Sequence, residues 1–503
     1  MIAPTGRLRT ILIFLMAALI AMAVRGAGIG DIVAHGDEQF YLLVGDRMLH
    51  WGAIPYVDIW DRKPIGLFLL YAGIRMLGGD GIVQYQLVAM LAVALTSGIM
   101  AVWIARFSGW PGAVAGVMLY NGLLVSHLGF GGQAEVFLNL LIVAAGWVAH
   151  GLLLSSPSFR RLAVVGGGAM LLCGLAMQVK PTALLPGIFI GLALVWRAWR
   201  ARLDWRKIAG LGVLWIGMAL LPTLLVILTY SGLGQIDAWL FANVLSIFDK
   251  APDQPGAVAR RIADTMREFG RPFAIVSIVA AGQCVVRRDL SLSRSSLFLL
   301  GWLVSGIAAF AVLSAAYPHY ALVMAPMGCL IAGYAARRNL VGYLMLGYCL
   351  YVSLNNMDMY EQRLRDNAVA APQIRDMARA IAPHVGKDRC LYVYHGPVVL
   401  YTLTKACIPT SFAFPNHLSI STEASGLGVD TVAEVQRILA ARPSVIVDGA
   451  FGFHRPNVKT QHLVHAALLR DYRPVAVVKD GKGRTTATAY VLQAARGAST
   501  RFK

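Results

Sequence analysis

The sequence predicts a polytopic α-helical membrane protein, with about eleven transmembrane helices and a small C-terminal α/β domain outside the membrane. Three observations lead there. The 503 residues are 57% hydrophobic and only 14% charged, with a mean hydropathy of +0.62, too apolar for a soluble multidomain chain. The apolar residues fall in runs separated by short basic clusters. From Asn355 onward the composition changes to short β-like runs interleaved with helical stretches.

The net charge of +19 would suggest a nucleic-acid partner in a soluble protein. Here its placement gives a different meaning. In the topology below, fifteen Arg and Lys residues, from Arg7 to Arg338, fall on the predicted cytoplasmic side against Asp204 and Asp289 alone. The basicity is the positive-inside signal, and no nucleic acid is expected.

The first apolar run, 11–24, follows Arg7 and Arg9, which places the N-terminus in the cytoplasm. Ala21-Met22-Ala23 resembles a signal-peptidase site, so a cleaved signal peptide is the alternative to a retained helix reaching Ile29. Residues 64–77 are too short to cross and contain Arg75, which suits an interfacial helix. Spans follow over 82–105, 110–125, 136–154, 162–177, 182–196, 208–228, 273–286, 297–315, 321–335 and 340–354. The outer loop 230–272 is long enough to form a lid.

This divides the chain into a membrane domain over 1–354 and an extracytoplasmic α/β domain over 355–503. In the latter, 390–395, 444–447, 474–479 and 486–492 read as strands, with helices near 372–382, 431–441 and 462–469, hence a small, largely parallel sheet. Cys173, Cys284, Cys329 and Cys349 sit in apolar spans as small core residues. Cys390 and Cys407 share the exported domain, where they form either a disulfide or two buried thiols.

Ionisable residues concentrate at the outer ends of the helices. Residues 35–64 alone hold eight acidic or basic side chains and two histidines. Asp37 and Glu38 follow the first span, Asp58, Asp61 and Lys63 precede the interfacial helix, Glu135 and Lys180 occupy two later outer turns, and His319 with Tyr320 a fifth. Charge at membrane depth is costly and is usually retained for a site. Each has a plainer reading: Asp37 as a helix cap, Asp58 and Asp61 as loop solvation, Lys63 and Lys180 as lipid anchors, His319 and Tyr320 as core. Together, two carboxylates from different loops, two lysines and a histidine suit an anionic lipid-linked substrate and removal of a proton from an acceptor. A transporter or flippase is the rival class, but such proteins place charge at mid-membrane within inverted repeats, and no repeat is evident. A membrane-anchored binding protein is a third.

The motifs Asp37-Glu38 with Tyr41, then Pro55-Tyr56-Val57-Asp58-Ile59-Trp60-Asp61-Arg62-Lys63-Pro64, Gln133-Ala134-Glu135, Gln178-Val179-Lys180-Pro181, Tyr317-Pro318-His319-Tyr320 and Tyr394-His395-Gly396-Pro397 carry a resemblance. Together they resemble the integral-membrane GT-C glycosyltransferases related to protein O-mannosyltransferases and the aminoarabinose transferases of lipid A, including bacterial members that modify lipopolysaccharide cores. The resemblance implies transfer of a sugar from a polyprenyl-phosphate donor to a hydroxyl of an envelope glycan, lipid or protein, with inversion, at the bacterial inner membrane. It implies Asp37, Glu38 and Glu135 as the catalytic acids, with Asp37, its pKa raised by burial, as base. Lys63 contacts the donor phosphate, and Tyr56, Asp58, Asp61, Lys180, His319 and Tyr320 complete the substrate site. It leaves open a divalent cation held by Asp37 and Glu135. Two positions depart from the pattern: Ile65 where many relatives have a second proline, and Glu135 where some have Asp.

Overall fold

The computed structural model describes residues 4–287, 290–312, 315–451 and 455–493. Arg288 and Asp289 of the predicted basic loop, and Leu313 and Ser314 of the span over 297–315, lie outside them. The chain begins with helices α1 (Pro4–Arg25), α2 (Gly36–Trp51), α3 (Ile65–Arg75), α4 (Ile82–Ser126), α5 (Ala134–Leu154), α6 (Phe159–Val179), α7 (Leu184–Arg200) and α8 (Trp205–Gly232). α3 has the short length expected of the interfacial helix and buries Leu67, Phe68, Tyr71 and Ile74.

Among the described residues, eight helices, not eleven, are long and apolar enough to cross a membrane. α4 accounts for one unit of the difference. Its backbone leaves helical space at Gly109, with φ 71° and ψ −160°, and Asn121 Nδ2 donates to Ser97 Oγ at 3.1 Å. These residues stand equally far on either side of Gly109, so the halves run antiparallel and the predicted spans over 82–105 and 110–125 form a hairpin. The span over 321–335 is a 3₁₀ segment followed by a helix of 11 residues, Ala325–Ala335, too short to cross at about 1.5 Å per residue. The span over 340–354 opens a 42-residue helix, Leu340–Ile381, whose apolar part stops at Asn355 and Asn356.

The expected lid over 230–272 is helical. Short helices at Ile236–Leu240 and Ser246–Asp249 lead to Pro255–Thr265, which continues through a π-helical turn, Met266–Gly270, into Arg271–Arg287. The helix that holds the crossing segment therefore starts at Pro255, while its charged first part, with Arg260, Arg261, Asp264, Arg267 and Glu268, leaves the apolar run near Phe273 where it was expected.

The Leu340–Ile381 helix passes unbroken through residues 354 and 355, so the change in composition there is not a break in the chain. Beyond it lie strands β1 (Leu391–Val393), β2 (Val445–Gly449), β3 (Tyr472–Lys479) and β4 (Thr485–Leu492), in sheet order β1-β2-β4-β3. Only β1 and β2 are parallel; the β2–β4 and β3–β4 pairs are antiparallel. The expectation of a largely parallel sheet is overturned by the tight turn over 480–484, which allows only an antiparallel pair. Helices Thr431–Ala440 and Val458–Asp471 lie where the sequence placed them, and Cys390 and Cys407 are joined in a disulfide.

The sheet domain docks on the membrane half through polar contacts. Val399 N donates to Gln39 Oε1 at 3.0 Å, Trp60 N to Ser411 O at 2.9 Å, and Arg47 to the carbonyl of Ala406. Arg62 and Lys250 both pair with Glu423, each at 2.5 Å. Gln373, on the long helix, exchanges two hydrogen bonds with the backbone of Lys479 at the edge of β3.

Candidate active site

A cavity of about 890 Å³ opens where the start of α2 faces the sheet domain. His35, Gly36 and Asp37 line it from below. Asp366 and Asn367 of the long helix, His395, and the β3–β4 turn with Lys479, Lys482 and Arg484 complete the wall. The His35 side chain caps α2, its Nδ1 accepting from Asp37 N at 3.2 Å. Asp37 thus sits in the first helical turn, where the unpaired amides favour negative charge.

Asp37 and Glu38 are adjacent, and successive helical residues point about 100° apart. Asp37 faces the cavity with 20% of its side chain exposed; Glu38 is fully buried. Its carboxylate lies against the turn before α5, where a Cβ on Gly131 would collide with it. Arg25 holds that turn from the other side, donating to the carbonyls of Gly129 and Gly131, and the Tyr71 hydroxyl donates to Gly132 O at 2.7 Å. The glycines of this turn leave room for Glu38. The expected catalytic role for Glu38 does not fit this place, because its carboxyl does not reach the cavity.

The two carboxyls also differ electrostatically. Burial pushes Glu38 up to about 8, against the Gly132 backbone and the Arg25 charge, so it is protonated at neutral pH. For Asp37 burial works in the same direction, but His35, Lys63, His319 and Lys180 outweigh it and hold the group well below the carboxylate range. The expectation of a raised Asp37 pKa is overturned by these neighbours, the Lys63 and Lys180 charges among them.

Behind Asp37 lies a buried ion pair. Glu135, in the first turn of α5, is bound by Lys180, which follows the last residue of α6. The Lys180 ammonium also stands 4.0 Å from the centre of the Tyr320 ring. His319 packs on Tyr320 at 4.6 Å and reaches within 6.0 Å of the His35 ring. Lys63 lies over the Tyr41 ring at 5.6 Å. Burial disfavours the Lys63 ammonium, yet Asp61, Asp37 and Glu135 raise its pKa above the ordinary lysine value. Asp61 is itself pushed up by burial, with Lys63 opposing. The structure therefore gathers Asp37, Asp61, Lys63, Glu135, Lys180, His319 and Tyr320 into one electrostatic cluster.

Tyr56 and Asp58, expected to bind substrate, make hydrogen bonds that shape the loop. Tyr56 is buried, takes a left-handed φ of 71° and donates its hydroxyl to Lys63 O at 2.8 Å. Asp58 is exposed and accepts from Ile54 N at 2.7 Å, closing a turn. Sequence reasoning gave no role to His35 or to the roof residues Lys479, Lys482 and Arg484. The roof signal was present as three basic residues around an Asp-Gly-Lys-Gly turn, but nothing in the sequence says that this turn folds back over Asp37.

An apolar groove of about 320 Å³ runs between α6, α7 and α8, lined by Met170, Met177, Leu184, Ile188, Trp215 and others. Met177 and Leu184 flank Lys180 in the chain within about one helical turn on each side. For a divalent cation the donor set is poor. Among the described residues no three His, Cys, Asp or Glu side chains are grouped to hold a metal ion, Glu135 is committed to Lys180, and the Lys63 and Lys180 charges act on Asp37. The residues do not fit the cation that Asp37 and Glu135 were expected to share.

No family model matches the chain, and no curated protein matches it in sequence. Solved structures do match. ArnT from Cupriavidus metallidurans in the apo state gives a TM-score of 0.63 at 16% identity, over 95% of this chain and 97% of that one. ArnT bound to undecaprenyl phosphate gives 0.63 at 15% identity, over 97% and 98%. An Archaeoglobus fulgidus oligosaccharyltransferase tethered with an acceptor peptide gives 0.51 at 11% identity, over 96% of this chain and 74% of that one. At such identities the likeness is one of fold, and it extends through both the helical bundle and the sheet domain.

Proposed function

Starting from the GT-C fold that this chain shares with ArnT, we propose that it is a glycosyltransferase. It moves a sugar from a polyprenyl-phosphate donor to a hydroxyl of an envelope glycan, lipid or protein. The reaction takes place on the extracytoplasmic face of the bacterial inner membrane, with the sheet domain on that side and the N-terminus in the cytoplasm. The observation that carries this reading is the meeting of an ionised, cavity-facing Asp37 with Lys63 and Lys180, Lys180 lying in the chain between Met177 and Leu184 of the apolar groove.

A polyprenyl tail suits that groove, which leaves its phosphate beside Lys180 and Lys63. The acceptor hydroxyl enters from the cavity and hydrogen-bonds to Asp37. Its oxygen attacks the anomeric carbon from the face opposite the phosphate, the bond from that carbon to the phosphate oxygen breaks, and the hydroxyl proton passes to Asp37. One displacement inverts the anomeric centre. The lysines offset the charge gathering on the departing phosphate, which is where stabilisation counts most. A carboxylate of low pKa is a weak base, so the proton leaves late, once the new bond has acidified the hydroxyl. The glutamate of the Glu135–Lys180 pair orients the ammonium.

Mass spectrometry of envelope glycolipids and glycoproteins tests the proposal in cells carrying the wild-type protein, none, or Asp37→Asn. One glycan lacking a single sugar in both the null and the variant is the expected result. An envelope unchanged in the null, with no accumulation of polyprenyl-linked sugar, overturns it.

A further inference from the structure

At the turn of the α4 hairpin four arginines converge on a second pocket. It measures about 330 Å³ and is lined by Arg9 from α1, Arg106 and Ser108 from α4, and Arg337 and Arg338 from the segment before the Leu340–Ile381 helix. Gly109 lies on it. Its left-handed backbone leaves the place of a side chain to Arg338, whose Nε comes within 3.1 Å of where a Cβ would stand. Arg337 is 7% exposed, and its Nε donates to Tyr334 O at 3.2 Å. Among the described residues no carboxylate lines the pocket. A smaller cavity of about 190 Å³ shares Arg9 and Arg106 and continues along α1 past Thr10, Ile13 and Val102.

This pocket is far from Asp37. The other end of the hairpin is tied to the approach of α2, where Gln86 Nε2 donates to Asp31 O at 2.8 Å, and the helix from Ile82 to the turn is roughly 40 Å long at 1.5 Å per residue. A topology signal needs positive residues only on the correct side of the membrane. It does not need Arg9, Arg106 and Arg338 to converge from three separate segments on one concavity, where these guanidiniums disfavour one another unless an anion sits between them. We propose that this is a phosphate-binding pocket whose occupant is a phosphate-bearing ligand, an anionic phospholipid headgroup or free phosphate. The planar guanidinium fork matches phosphate oxygens in pairs, and the neighbouring cavity along α1 adds Ile13, Val102 and Ala105 as apolar surface for the glycerol end of a lipid.

The test uses the purified full-length protein. Native mass spectrometry after exchange into dioleoyl-phosphatidylglycerol or dioleoyl-phosphatidylcholine micelles should show one phosphatidylglycerol retained at collision energies that strip phosphatidylcholine. Occupancy should fall at least about fivefold in Arg106→Gln/Arg338→Gln, while Arg160→Gln/Arg161→Gln, two basic residues away from the pocket, keeps it. Arg106→Lys/Arg338→Lys preserves charge and hence insertion, and should fall by an intermediate factor. Inorganic phosphate, added at millimolar concentration without lipid, identifies the source: a rise in melting temperature of the wild type but not of the Gln variant assigns free phosphate, and protection by the lipid alone assigns the headgroup. Equal retention of phosphatidylcholine, unchanged occupancy in the Gln variant, or equal loss in the Arg160/Arg161 control overturns the site.

Discussion

Asp37 and Glu38 are chain neighbours whose carboxyls lie in opposite settings, one ionised at the floor of a polar cavity and the other neutral beneath a glycine turn. Conservative substitution separates them. Asp37→Asn should lower turnover by about 10²–10⁴-fold, the usual contribution of a positioned base, with the protein still folded in the membrane. Glu38→Gln keeps the neutral form already present and should stay within a few-fold of wild type. An in vitro transfer assay on both variants checks this, and a larger loss from Glu38→Gln reverses the assignment.

The same pair sets a dependence of stability on pH. Glu38 binds its proton more tightly folded, near pH 8, than unfolded, near the ordinary glutamate value of 4.5. Between those values the folded state holds more protons, so stability falls as pH rises through this window and levels off above it. Thermal unfolding in detergent should show that decline in the wild type, and Glu38→Gln should flatten it. Asp37, held below the ordinary carboxylate range, contributes in the opposite sense and only under acid conditions.

The Glu135–Lys180 pair answers differently to one substitution than to two. Lys180→Ala strands a buried carboxylate and should cost about 3–5 kcal/mol of stability. Lys180→Met with Glu135→Gln should restore much of the thermal stability while transfer stays low, because the cation facing the donor phosphate is gone. A double variant that recovers full activity would remove Lys180 from the donor site.

Chelation is informative because lysines occupy the neighbourhood where a metal would be expected. Activity of the purified enzyme should survive excess EDTA with at most a small change. A loss restored specifically by one divalent ion would show that Asp37 and Glu135 rearrange around a cation on substrate binding.

The disulfide closes a separation of 17 residues, worth about 3 kcal/mol by loop-closure entropy. Cys390→Ser/Cys407→Ser should lower the urea midpoint of the sheet domain by a matching amount, read by proteolysis there, and leave the helical bundle unchanged.

Much of this architecture was written locally in the chain. β4 follows from alternation, β1 and β2 from short continuous apolar runs, and the Thr431–Ala440 helix from amphipathic spacing, and Lys63, Glu135 and Lys180 stood out as charges beside apolar runs. What was hidden depends on rotation and return of the chain. Composition does not tell whether Asp37 or Glu38 faces the cavity, since both are acidic and the phase of α2 is set by packing of Phe40, Tyr41 and Leu43. Strand direction was misread because a hairpin turn replaced the expected crossover. One unit of the fall in span count comes from Ala325–Ala335, which is buried among other helices, where an apolar run is core rather than a crossing.

The Leu340–Ile381 helix begins in the bundle and ends against β3, where Gln373 is tied to Lys479 in the roof of the cavity. The sheet-bearing half is accordingly not an interchangeable cap. A chimera joined at residue 355 would cut this helix in mid-course and leave the phase of its two ends unmatched, turning the Lys479–Arg484 side of the roof away from Asp37. Exchange of the cavity roof between chains of this fold must therefore carry the whole helix or alter the 479–484 turn alone.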